Sequence, residues 1–111
     1  KSEVDESYKT LLDFLMDGTR NDGVDLVVGT HDDRMIERAR GRISLGYANK
    51  DDVEFDVLLG VRNERIRYLA GQGYRTGVYV PFGGQWWAYF CRRLGERPAN
   101  MMFVARNFLA A

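Results

Sequence analysis

A single cysteine, a single histidine, balanced charge and no long apolar run narrow this sequence before any motif is considered. One cysteine, Cys91, excludes an intramolecular disulfide and suits a reducing compartment. With His31 as the lone histidine beside that one cysteine, no structural zinc set can be assembled, and no metal ligand is assigned. Sixteen basic and sixteen acidic residues cancel, so the chain lacks the positive field that a nucleic-acid binder carries. No apolar run approaches the roughly 20 residues of a spanning helix, and no secretory leader is read. Repeats, low-complexity segments, a Walker A loop and a GxGxxG turn are all missing. What is left is the expectation of a soluble, cytoplasmic chain. Its 111 residues make one domain at most, with enough length for a real core.

What is present alternates. Residues 4–17 carry Tyr8, Leu11, Leu12 and Leu15 on one face, with Asp5 or Ser7 as a cap. That predicts an amphipathic helix ended by Gly18 or by the Asn21–Gly23 turn. Residues 24–30 are a mostly apolar run, which suits a strand covered on both faces in a parallel sheet. A helix over 35–43 follows, then a strand over 53–59 turned by Gly60. Next come a helix over 61–73 closed by Gly71 or Gly73, a strand over 75–80, and a helix around Trp87. The segment 99–110 is apolar and could be helical or extended. Such an array needs a parallel sheet with right-handed crossovers. Three parallel strands alone leave raw edges, so the choice lies between a small open three-layer domain and a piece of a larger barrel. The piece is favoured, with an open side expected on the first strand.

Ligands of α/β folds bind beyond the carboxyl ends of the strands. Here those ends are Thr30 and His31, Leu58 to Gly60, and Tyr79 to Gly84. On the last helix Tyr89, Arg92, Arg93 and Glu96 stand at i, i+3, i+4 and i+7 and share one face. Trp87, Phe90, Cys91 and Leu94 form a second, apolar stripe expected to pack inward. Two neighbouring guanidinium forks match a carboxylate or a phosphate. Plainer readings compete with this one. The arginines could be solvated, with Arg92 and Glu96 an ordinary i, i+4 ion pair. His31 could be a loop histidine, Thr30 and Asp32 caps, Tyr79 a core residue, and Trp86 and Trp87 packing.

Three stretches also resemble a known family: VVGTHDDRMIERA, LGYANKDDVEFDVLLGVRNE, and above all YRTGVYVPFGGQWWAYFCRRLGERPAN. Together, over nearly the whole chain, they resemble the C-terminal part of the proline dehydrogenases, FAD-dependent enzymes built on a (βα)8 barrel. The resemblance implies an α/β fold made of the last three βα units of a TIM-like barrel, spanning residues 1–111. It implies that Arg92 and Arg93 hold the carboxylate of L-proline, and that Tyr79, Tyr89 and Leu58 wall its ring. Thr30 and His31 would contact FAD, and Glu96 would lie near the FAD sugar and the substrate arginines. The implied reaction moves a hydride from the ring carbon next to nitrogen to the flavin, giving 1-pyrroline-5-carboxylate, with a quinone-type acceptor beyond it. That places the protein in the cytoplasm or peripherally at a membrane. The family's earlier strands supply a lysine, an aspartate and an arginine that no residue here matches, so the rest of the barrel is expected from another segment. The competing expectation, from a different class, is a stand-alone α/β module or fragment that binds an anionic ligand or partner without redox chemistry.

Overall fold

The computed structural model describes residues 2–96 and, beyond them, residues 102, 105 and 106. Four helices and three strands alternate: α1 (Ser2–Asn21), β1 (Leu26–Gly29), α2 (Asp33–Ser44), β2 (Val53–Leu58), α3 (Asn63–Gly71), β3 (Arg75–Tyr79) and α4 (Trp86–Glu96). A short 3-10 turn, Lys50–Asp52, leads into β2. The strands form one sheet in the order β1-β2-β3, and both pairings are parallel. The alternating array predicted from the sequence is therefore present, with β1 at an edge. The segment 99–110 falls largely outside the described residues; Met102, Ala105 and Arg106 are helical.

Pleating decides where the core sits. Val53, Phe55 and Val57 point to one face of β2, joined by Leu26 and Val28 of β1. Leu12 and Met16 of α1, Ile36 and Ala39 of α2, and Ile66 and Leu69 of α3 close over them. The three helices thus cover the same face, and Tyr74 meets Phe55 edge to face at 5.5 Å. Helix register is held by charge. Asp13 and Asp17 of α1 pair with Arg38 and Arg42 one turn apart on α2, and Asp33 and Glu37 of α2 pair with Arg65 of α3. The Arg38 guanidinium holds the Asp13 carboxyl below its ordinary range.

Several sequence expectations need correction. The cap predicted at Asp5 or Ser7 is not there, since α1 already runs from Ser2. Asp5 is buried within the helix and accepts from Arg34 at 3.0 Å. Gly18 does not stop α1, which continues to Asn21; Gly23, at φ +71°, makes the turn. Leu11 is 56% exposed, because the inward stripe is Asp5, Leu12, Met16 and Thr19. Strand β1 is covered on one face only, and Val27 points to the open side. No residue of α4 is buried: Trp87 is 61% exposed, Cys91 is exposed, and Trp86, Trp87 and Phe90 pack on one another. The reason is topological. Helix α4 follows β3, an edge strand, and among the described residues no element lies outside that strand to receive the apolar stripe.

Among the described residues no helix is long and apolar enough to cross a membrane. Phe55, 1% exposed, sits where all three covering helices meet. Truncating it to alanine should cost about 3–5 kcal/mol, a large part of a domain's stability. The expected outcome is a lower urea midpoint for Phe55→Ala, and a midpoint within error of the parent would contradict this core.

Candidate functional site

The face of the sheet turned away from the core carries the site. Strand pairing orders it in rows: Val27, Glu54 and Arg75; then Gly29, Asp56 and Gly77; then Leu58 and Tyr79 at the carboxyl end. His31 joins the last row from beyond β1, where its Nε2 accepts the Leu58 backbone N–H at 3.1 Å. Val27, Gly29, Asp56, Leu58, Tyr79 and His31 line a cleft of about 490 Å³ together with Thr30, Tyr89, Arg93 and Glu96, and with Val4, Asp5, Tyr8 and Met35 at the α1 and α2 side.

The floor is a carboxylate set between glycines. A Cβ at Gly77 would lie 2.5 Å from Asp56 Oδ1 and 2.7 Å from Glu54 Oε1, so only glycine leaves room for the two acidic side chains. Asp56 Oδ1 is buried without a hydrogen-bond donor, as expected of two carboxylates that can only accept unless a proton lies between them. Burial, then a hydrogen bond to Glu54 and its charge, push the Asp56 carboxyl up to about 6. Arg75 approaches Glu54 at 3.3 Å, which leaves Asp56 the member to hold the proton.

The rim is set by the turns. Asp32 caps α2, accepting the Arg34 N–H at 2.9 Å, and Thr30 Oγ accepts the Asp32 N–H at 3.1 Å. Both residues thus have the local roles their sequence position suggests, and Thr30 keeps its hydroxyl proton to donate. Arg62 is 5% exposed and donates to the His31 carbonyl at 2.9 Å while bridging Asp33 and Glu64. Gly60, at φ +85°, makes the turn after β2 and donates to Asn63 Oδ1 at 3.2 Å.

Helix α4 forms the far wall. Tyr79 and Tyr89 rings lie 5.6 Å apart, tilted by 42°. The Arg93 guanidinium lies 5.0 Å over the Tyr89 ring and pairs with Glu96 at 2.9 Å. The ion pair on this helix is therefore made by Arg93 at i, i+3. Arg92 is exposed and does not line the cleft. Of the residues singled out in the sequence, Thr30, His31, Leu58, Tyr79, Tyr89, Arg93 and Glu96 come together. Asp56 and Arg62 were not singled out. Asp56 was legible in the alternation of VEFDVL, where both acids share the face opposite Val53, Phe55 and Val57. Arg62 carried no such signal. No cluster of three or more metal-ligating side chains occurs among the described residues.

A sequence profile of the family described as Proline dehydrogenase matches residues 1–106. Proline dehydrogenase of Deinococcus radiodurans is 37% identical over 110 residues, covering 98% of this chain and 34% of that protein. Proline dehydrogenase 2 of Bacillus subtilis is 38% identical over 108 residues, covering 96% of this chain and 34% of that protein. Proline dehydrogenase 1 of Bacillus subtilis is 44% identical over 82 residues, covering 74% and 27%. The chain spans about a third of the length of the curated relatives it matches.

The carboxylate floor gives a pH prediction. The folded pKa of Asp56 lies above its unfolded value, so its favourable contribution is complete below about pH 4 and is lost as pH rises through about 6. Asp56→Asn removes that loss. Urea midpoints of parent and variant should therefore diverge in favour of the variant between pH 4 and 7, whereas a constant difference would mean that no proton is held there.

Proposed function

The chain belongs to the proline dehydrogenase family, and from that membership we propose that it forms the last three βα units of a (βα)8 barrel that oxidises L-proline to 1-pyrroline-5-carboxylate. One observation carries the reading: the carboxyl end of the parallel sheet and the aromatic-arginine face of α4 enclose one cleft. On this reading the remaining strands come from a segment outside these residues and continue the sheet beyond the open edge of β1.

The reaction removes a hydride from the ring carbon next to nitrogen and a proton from the nitrogen. This chain's share is to bind and orient. Arg93 holds the carboxylate, its guanidinium steadied by Tyr89 and Glu96 at 5.0 and 2.9 Å. The family resemblance makes Arg92, exposed one residue earlier on the same helix and outside this cleft, the second fork. Leu58, Tyr79 and Tyr89 wall the ring and exclude water, which holds the reacting carbon in one pose.

The polar groups at the strand ends fit a flavin nucleotide. Thr30 has a hydroxyl proton to give. His31, whose Nε2 already accepts a backbone N–H, carries the proton of its neutral ring on Nδ1. Glu96 can accept from sugar hydroxyls. FAD, when bound, supplies the hydride acceptor. A quinone-type acceptor, and a cytoplasmic or membrane-peripheral location, complete the reading.

Kinetics of the full-length enzyme test the clamp. A charge-assisted bond is worth on the order of 1.5–3 kcal/mol, so Arg93→Met should lower kcat/KM for proline about tenfold to a hundredfold. Arg92→Met should do the same. Lysine at either position keeps the charge, loses the fork and stays impaired. Pyrrolidine, which has no carboxylate, should be little affected. If both methionine variants keep the parental kcat/KM, the arginines are a solvated surface pair. For the cofactor, His31→Ala should lower the flavin retained per protein on purification, measured from its visible absorbance. Equal flavin content would remove His31 from that site.

A further inference from the structure

His31 does more than sit at a strand end. Its side chain crosses from the end of β1 to the end of β2 and takes the backbone N–H of Leu58 on Nε2 at 3.1 Å. Its own carbonyl is held by Arg62 at 2.9 Å, and Arg62 is itself pinned by Asp33 and Glu64. The next residue, Asp32, caps α2. The imidazole is thus fixed at both backbone and ring, and the residue at the other end of the bond is one of the walls of the cleft.

We propose that His31 is a positioning residue for the substrate wall: its unprotonated Nε2 pins Leu58 at the cleft, and protonation of the ring releases that wall. The inference rests on the reading of Leu58 as a ring wall given above. The chemistry is that of one nitrogen. An acceptor Nε2 requires the neutral ring with its proton on Nδ1. The imidazolium carries N–H on both nitrogens, so at low pH two N–H groups face each other and the bond is lost. An amide N–H left without an acceptor at a half-buried rim then favours a shift of the β2 end. Leu58 and Tyr79 are paired across the sheet, so the displacement reaches the aromatic wall too. The charged and titratable groups that share the cleft with the ring are Asp5 and Tyr8 of α1, Asp56 of β2, Tyr79 of β3, and Tyr89, Arg93 and Glu96 of α4. Arg62 adds its charge behind the carbonyl.

The test uses the full-length enzyme with 15N-labelled histidine and leucine, the two resonances being assigned with His31→Gln and Leu58→Met. The expected result is the Nδ1–H tautomer for His31 and a Leu58 amide resonance that titrates with the same midpoint as the ring. An Nε2–H tautomer, or a Leu58 amide indifferent to that titration, overturns the proposal. In flavin-loaded enzyme, His31→Ala should raise KM for proline about tenfold, the worth of one hydrogen bond, with a smaller change in kcat. His31→Gln can place Oε1 near the Nε2 position; it should recover most of that loss and flatten the acid limb of the kcat/KM profile. A Gln variant as impaired as Ala, or one with the parental acid limb, also overturns it. The resonances are read without proline. An enzyme that shows the pin but does not oxidise proline therefore refutes the functional reading alone.

Discussion

Val53, Phe55 and Val57 leave β2 on one side and Glu54 and Asp56 on the other, and the rest of the structure depends on that division. Because α1, α2 and α3 all cover the apolar side, the second face of the sheet is left to polar and aromatic side chains. A parallel sheet whose crossover helices share one face has this consequence by geometry, since each strand can offer only alternate residues to the core. The cleft is the other half of the same pleat.

Charge arranges what burial does not specify. Hydrophobic contact alone would let α1, α2 and α3 slide along one another, since burial is not directional. The Asp–Arg rungs between α1 and α2, and the Asp33, Glu37, Arg62 and Arg65 cluster between α2 and α3, select one register. Exposed pairs of this kind contribute little stability each, so their effect lies in position more than in energy. Arg62 is the exception in burial. With three partners around one guanidinium it links the start of α2, the start of α3 and the His31 carbonyl. The strand-end loops that bound the cleft are thereby tied to the helices beneath them.

The open face combines two requirements. Its floor tolerates a pair of carboxylates only because Gly77, paired with Asp56, leaves them room. Its rim is aromatic and leucyl, with one guanidinium above it. The same face is open at β1, where Val27 is 56% exposed and, among the described residues, the strand pairs with β2 alone.

Much of this could be read in the residues. Alternation of apolar runs with helical periods points to parallel strands, because the helical stretch between 53–59 and 75–80 is the long crossover that parallel neighbours need. The shared face of Tyr89, Arg93 and Glu96 follows from helical spacing alone. Other features needed the fold. Which of Leu11 and Leu12 turns inward depends on where α2 lies, and the pattern of α1 fits either choice. The apolar stripe of α4 reads as buried in sequence and is exposed here, since burial requires a partner surface that periodicity cannot supply. Contacts across 27 and 31 residues, His31 to the Leu58 amide and Arg62 to the His31 carbonyl, exist only once the strand ends are brought side by side. The sequence by itself determined the elements, their order and the residue types at the strand ends, because these depend on local period and composition. Tertiary structure alone decided which residues share the cleft, since that depends on strand register and on which side of the sheet the helices fall.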